Sequence, residues 1–268
     1  MCLVVLGLHA HPLYPLVVAA NRDEFLDRPS EPARFWPEAP GFLAGRDLRA
    51  GGTWLGVTRS GRFAALTNIR DPLRHDPGAP SRGDLVVRFL LGRDGPVEHL
   101  AGVAAEPVRR NPYNLLAGAG GRLAWHSNAV SRPREVGAGV HAVSNALLDT
   151  PWPKTTRSAA RLAEILERGT RIDPEELFAL LGDREPVPDG DLPATGVGLP
   201  AERLLSPPFV VSPGYGTRGS TLLLVSRGGG ASLLERRFDG AFRETGTSRF
   251  DLDLPGWDRP GGGPDGRS

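Results

Sequence analysis

A cysteine stands at position 2, directly behind Met1, and the 268 residues contain no other. Its small side chain favours removal of Met1. The processed chain would then carry a thiol and a free α-amine on one residue. Their ordinary pKa values are ~8.5 and ~7.7–8.0, so near neutral pH the amine is a base on the nucleophile's own residue. This is the logic of catalysis by an N-terminal nucleophile, in which the chain's own amine takes the proton. A nearby guanidinium would favour the thiolate further. The structural alternative is a frayed end whose cysteine is a small hydrophobe. The apolar run that starts at Leu3 argues against fraying, because a terminus inserted into a sheet is held in place.

The other candidates are polar residues at the ends of apolar segments. Arg22 and Asp23 follow the second apolar run, within Asn21-Arg-Asp-Glu24. Asn68 ends Phe63–Thr67, Asn145 ends Val140–Ser144, and Arg218 precedes Ser220-Thr221. In an acyl-transfer site Asp23 would hold the amine or ammonium, and Arg22 or Arg218 would favour the thiolate. The amides of Asn68 and Asn145 would donate to an oxyanion, where one lost donor costs about 2.7–4 kcal/mol. Each residue also has a structural reading. Arg22 and Asp23 could close a strand end as an ion pair, with Glu24 as a further partner. The asparagines could bond their own backbone in turns. Arg218 could be an ion-paired strand residue, and Thr53 and Trp54 could be sheet packing. His9 and His11 stand two apart without a third ligand in sight, so they read as turn surface rather than a metal site.

These residues need elements to hold them. Leu3–Leu8 and Leu16–Ala20 read as buried strands of one hairpin, with the tetrad directly after the second. Residues 25–50 read as loop. A second hairpin runs from Thr53–Val57 to Phe63–Thr67. Ser81 can cap a helix to about Leu91, with Asp84 at its third position, and Pro96 to about Val108 reads as another. Tyr113–Ala117 and Arg122–His126 read as strands joined by a glycine-rich turn, followed by the short strand Val140–Ser144. Thr155–Leu166 is helical, and Asp173 caps a helix that opens with Pro174. Residues 183–208 form a proline-rich loop, and Thr221–Ser226 and Ser232–Phe238 a late hairpin. The order of strands, helices and strands disfavours a regular βαβ array and favours antiparallel sheets with segregated helices. One domain over 1–254 and a disordered tail over 255–268 are expected.

Composition narrows the classes of function. Lysine plus arginine number 32 against 31 aspartates and glutamates, with no like-charge run that would form a nucleic-acid arm or membrane patch. Lys154 is the sole lysine, so an anion site would be built from arginine, which suits bidentate recognition of carboxylate or phosphate. One cysteine precludes an internal disulfide and fits a reducing, cytoplasmic setting. The apolar opening is interrupted by His9, His11, Pro12 and Pro15, so neither a secretory signal nor a membrane span is expected.

The Met-Cys start, the hairpin and Asn21-Arg22-Asp23-Glu24 resemble the NRDE, or transport and Golgi organisation 2-like, family. Further pieces agree in order: Gly51-Gly-Thr-Trp-Leu-Gly56, Leu66-Thr-Asn68 with Arg70-Asp71-Pro72, Ser81-Arg-Gly83, Asn111-Pro-Tyr-Asn-Leu115, Val143-Ser-Asn145 and Thr217-Arg218. The resemblance runs from residue 1 to roughly 240. It implies an α+β fold, a four-layer αββα sandwich of two stacked antiparallel sheets. It also implies distant similarity to N-terminal-nucleophile hydrolases of the choloylglycine and penicillin V acylase type. By that similarity Cys2 corresponds to the nucleophile, Asn145 to a mid-chain asparagine and Arg218 to a late arginine. Arg22 and Asp23 correspond less directly, because the acylases separate their Arg and Asp by two residues. The expected function is a cysteine amidohydrolase acting on a carboxamide without a cofactor. The alternative is a non-catalytic carrier of haem or an acyl-lipid such as acyl-coenzyme A, with Arg22 and Arg218 receiving the ligand's acidic groups.

Overall fold

The computed structural model describes residues 2–130 and 132–258. Its strands are β1 (Cys2–Leu8), β2 (Leu16–Phe25), β3 (Ser30–Trp36), β4 (Ala39–Asp47), β5 (Leu55–Thr58), β6 (Phe63–Asn68), β7 (Tyr113–Ala119), β8 (Arg122–Ser127), β9 (Arg134–Val136), β10 (Gly139–Val143), β11 (Val211–Ser212), β12 (Tyr215–Val225), β13 (Gly230–Phe238) and β14 (Glu244–Asp253). Its helices are α1 (Gly83–Leu91), α2 (Pro96–Ala104), α3 (Pro153–Glu167), α4 (Pro174–Leu181) and α5 (Leu199–Leu204). One sheet has the order β10-β1-β2-β12-β13-β14, with β11 paired to β12; the other runs β3 to β9 in chain order. The pairings are antiparallel throughout.

The alternation of side chains along each strand builds the layers. Val4, Leu6, Leu8 and Val18 face the second sheet and pack with its Leu43, Val57, Phe63 and Leu116. The intervening residues Leu3, Val5, Val17 and Ala19 face the other way, onto Leu162 and Leu166 of α3 and Phe178 and Leu181 of α4. The second sheet likewise sets Phe42, Ala64 and Leu115 against Leu85, Phe89 and Leu100 of α1 and α2. Three apolar layers between helix, sheet, sheet and helix make this the expected αββα sandwich.

Several local expectations need correction. The second strand does not stop at Ala20; β2 continues to Phe25, so the tetrad lies within the strand. Residues 25–50 are not loop but mostly β3 and β4. Pro32 hid them, yet β3 is an edge strand whose pairing shifts register between Glu31 and Arg34, and proline is tolerated there. The α1 N-cap is Arg82 rather than Ser81, and no side chain caps it; Asp84 instead accepts two 2.8 Å bonds from Arg110. At α4 the expected cap is present, with Asp173 accepting from the Glu175 amide at 3.0 Å. His11 is buried, not turn surface, and its Nε2 lies 3.0 Å from the Thr170 carbonyl.

The late hairpin gains a third strand, β14. The chain then stays packed past residue 254. Trp257 is fully buried between the sheets, and its indole N–H donates to the Gly61 carbonyl at 2.9 Å. The expected tail from 255 therefore starts too early, and residues 259–268 lie outside the described residues. Trp257→Ala is expected to lower stability by about 3–5 kcal/mol. Urea unfolding checks this, and a loss below about 1 kcal/mol would contradict the packing.

Candidate active site

Cys2 opens β1 and pairs across the ladder with Arg22 of β2. Residues directly opposite in a sheet share a face, and here that face is the gap between the sheets. Deeper in, the gap is filled by the apolar core; at this end it opens into a cleft of about 90 Å³. Cys2, Arg22, Asp23 and Asn68 all line it, with Trp54 and Arg82 opposite. The sulfur receives a hydrogen bond from the Asp23 backbone. Burial pushes the thiol pKa up, against the pull of that bond and of the Arg22 guanidinium. At neutral pH the resting group is therefore a thiol that needs a base.

Arg22 and Asp23 are neighbours in one strand, so their side chains leave on opposite faces. Arg22 lies in the gap, stacked on the Trp54 ring with Cζ 4.4 Å from its centroid. Its nearest carboxylates, Glu24 at 3.8 Å and Asp47 at 3.9 Å, are beyond hydrogen-bond length. Asp23 turns to the helix side, where its Oδ1 accepts from the Thr217 hydroxyl at 2.7 Å. Burial raises its pKa, and the Lys154 ammonium and that hydroxyl oppose the rise. Asn21 points the same way as Asp23, donating to the carbonyls of Leu181 and Pro208 at 2.9 and 3.0 Å. The tetrad thus splits its work: Arg22 serves the gap, Asn21 ties β2 to Leu181 of α4, and Asp23 ties β2 to Thr217 of β12.

Two glycine contacts shape the far wall. The Trp54 ring lies on Gly45, where an added Cβ would come within 2.4 Å of it. Gly52 meets Gly83 so closely that a Cβ on Gly52 would lie 2.6 Å from the Gly83 carbonyl carbon. That approach brings the start of α1 beside Thr53 and sets Arg82 over the cleft. The Thr53 hydroxyl donates to the Leu55 carbonyl at 3.2 Å, a structural use, whereas Trp54 is both wall and support.

Asn145 reaches the site from behind. It follows β10, which flanks β1, and its amide donates to the Asn68 carbonyl at 2.9 Å. It does not line the cleft, and that bond uses one amide proton to hold Asn68 in place. The preceding Ser144 hydroxyl donates to the Cys2 carbonyl at 2.9 Å. Arg218 is not at Cys2. Its guanidinium donates to the carbonyls of Phe25 and Leu26, both at 3.0 Å, and it lines an adjoining cavity of about 170 Å³. Arg22 and Trp54 form the partition that both cavities share.

Two residues with a claim on the site carried no role in the sequence reading. Arg82 was legible only as part of Ser81-Arg-Gly83; it is half-buried, and its guanidinium donates to the Pro112 carbonyl at 3.2 Å and feels Cys2 and Glu24. Lys154 stood out as the sole lysine, but nothing in the chain told where it points. Its ammonium is buried beneath the site and donates to Asn145 Oδ1 at 3.2 Å and to the Leu205 carbonyl at 3.3 Å. Burial lowers its pKa to about 8, with Asp23 and Cys2 pulling the other way.

Among the described residues no group of three or more His, Cys, Asp or Glu could hold a metal ion. No described helix is long and apolar enough to cross a membrane.

Comparison with known proteins bears on the whole chain. Residues 1–240 match the family model described as Transport and Golgi organisation 2. A Bos taurus relative, Transport and Golgi organization protein 2 homolog, is 34% identical over 94% of this chain and 99% of its own. The Homo sapiens homolog of that name is 33% identical over 96% of each. Among solved structures, a Caenorhabditis elegans N-acylethanolamine-hydrolyzing acid amidase ortholog aligns over 83% of this chain and 92% of its own, with a TM-score of 0.45 and 9% identity.

Proposed function

The chain belongs to the Transport and Golgi organisation 2 family, and from its site we propose an amidohydrolase in which Cys2, freed by loss of Met1, attacks a carboxamide carbonyl. The observation that carries this reading is the placement of the Cys2 sulfur, between Arg22 and the Asp23 backbone in a cleft closed by Trp54 and Arg82.

The steps follow from the groups present. The α-amine of a processed Cys2 takes the thiol proton, which the raised thiol pKa makes necessary. The sulfur bonds to the carbonyl carbon, and the carbonyl π pair moves onto oxygen. Arg82 and the Asn68 amide line the wall that the oxyanion would face. When the oxyanion collapses the C–N bond breaks, and the ammonium returns its proton to the leaving nitrogen. Water then attacks the thioester and gives one proton to the amine. The acid departs, and the sulfur recovers its proton.

The carrier reading fits these cavities less well. Volumes of about 90 and 170 Å³ fall below the ~300–1,000 Å³ of sites for drug-sized ligands. Neither cavity has a histidine in its lining to serve as a haem ligand.

Intact mass after incubation with a thiol-reactive acyl probe tests the reading. The expected product lacks the mass of methionine and carries one acyl group on Cys2. A chain that retains methionine and stays unlabelled overturns it.

A further inference from the structure

The larger cavity has no task in the chemistry above. It lies on the same face of the same sheet as Cys2. Along one register line the strands present Cys2, Arg22, Gly219 and Arg237 in turn. The next line inward on this face runs through Thr221 and Glu235. Gly219 has no side chain, and this leaves the floor of the cavity open. A Cβ there would meet only the Arg236 carbonyl oxygen, at 3.4 Å, and φ lies outside the left-handed region. Nothing in the backbone demands glycine, so the space is open for an occupant.

The lining says what that occupant carries. Arg22, Arg218 and Arg237 all border the cavity. Arg22 is 6% exposed, and its Nη1 is buried without a hydrogen-bond partner among the described residues. Arg218 spends Nη1 on backbone carbonyls, and Arg237 spends Nη1 on the Ser248 hydroxyl at 3.2 Å. Neither has a carboxylate within ion-pair distance among the described residues. The acidic groups present are committed elsewhere. Glu31 pairs with Arg34 at 2.7 Å, and Glu235 accepts from the Ala33 amide at 2.9 Å, its pKa raised by burial. With Glu31 offset by Arg34 and Glu235 held by the Ala33 amide, the three arginine forks are left to face an oxyanion, and a planar carboxylate matches the fork of a guanidinium. A buried guanidinium without an acceptor is costly until an oxyanion meets it.

We propose that this cavity binds a carboxylate carried by the substrate about two strand spacings, ~10 Å, from the carbonyl that Cys2 attacks. The substrate class is then an amide whose acyl chain ends in a carboxylate, and the inference rests on the amidohydrolase reading of Cys2. The stacked Arg22 and Trp54, shared by both cavities, would border on one side the chain that links the two ends.

Mono-p-nitroanilides of dicarboxylic acids of increasing length test this, each beside its methyl ester and its phosphonate analogue. The acid is expected to show kcat/KM at least tenfold above its ester, best at a chain of intermediate length. In Gly219→Leu, which fills the cavity, and in Arg237→Gln the ratio of acid to ester falls below threefold. The ratio is read within one variant, so a loss of fold, which lowers both, does not mimic the effect. Equal turnover of acid and ester in the wild type removes the subsite and leaves the amidohydrolase standing. Preference for the phosphonate overturns the carboxylate assignment. If no anilide turns over, the amidohydrolase reading fails instead. Calorimetry with the same compounds then judges the cavity alone: the acid binding at least tenfold tighter than its ester, with that difference lost in Gly219→Leu, supports it, and equal binding overturns it.

Discussion

Cys2→Ala is expected to lower kcat for a carboxamide by at least about 10³-fold, because removing a nucleophile leaves only the contribution of binding and oxyanion donors. The fold should survive. Cys2 is partly exposed at the start of β1, and the carbonyl that Ser144 binds belongs to the backbone and remains. Unfolding should therefore shift by no more than about 1 kcal/mol. A second variant separates the sulfur from the amine. A short, uncleaved extension ahead of Cys2 keeps the thiol but buries its nitrogen in a peptide bond. It should be as inactive as the alanine variant, because the thiol, its pKa raised, then has no base on its own residue. Full turnover by Cys2→Ala sinks the mechanism. Full turnover by the extended chain alone would assign the base to another group.

Lys154→Met is expected to separate activity from stability in opposite directions. Lys154 fixes which way the Asn145 amide faces: by donating to Oδ1 it turns Nδ2 toward the Asn68 carbonyl. It also faces Asp23 and Cys2 from α3, with Arg70 and Glu202 as its other charged neighbours. Removing it should cost about 10–100-fold in kcat/KM through lost positioning. Stability should move the other way. The folded pKa of Lys154 is lowered from 10.5 to about 8, so below that value the folded state bears a cation that burial disfavours. Between about pH 8 and 10.5 the unfolded chain binds more protons at this site, and stability rises with pH. At neutral pH the penalty is on the order of 3 kcal/mol, from about 2.5 pKa units at 1.36 kcal/mol each. Methionine relieves it and gives back part through the bonds lost at Asn145 and Leu205. The variant should be as stable as the wild type at pH 7, or more so, and the difference should shrink toward pH 10. A wild type whose stability relative to the variant does not change over that range would show that Lys154 is not held as the buried contacts imply. Rescue of kcat/KM by Lys154→Arg would show that a cation suffices; continued loss would show that the reach of the amine to Asn145 matters.

The candidate site was legible where chemistry follows from residue type and was hidden where it depends on direction. Cys2, Arg22, Asp23 and Asn68 were found from their places at the ends of apolar runs, and they share one cleft. Their division between two faces could not be read with the strand ended at Ala20; with β2 running to Phe25, period two sends Arg22 into the gap and Asp23 to the helices. Asn145 was found but stands one shell back, and Arg218 belongs to the neighbouring cavity. Arg82 arrives through a glycine-to-glycine approach between segments 31 residues apart in sequence, which no local pattern encodes.

The sequence by itself determined the two periods that make a sandwich: alternation in the strands, and apolar stripes at helical spacing in the segments that cover them. It also carried the proposed nucleophile, because a cysteine directly behind the initial methionine is a property of order along the chain. Tertiary structure decided which polar ends meet. β12 inserts beside β2 and carries Gly219 and Thr217 to Arg22 and Asp23 from almost 200 residues away. The gap between sheets closes over apolar pairs and opens where Cys2, Arg22 and Arg237 face it. The physical reason is reach. A residue's own sequence sets its local conformation and its face, whereas desolvation and the charges around it come from strands and helices that only the folded chain brings together.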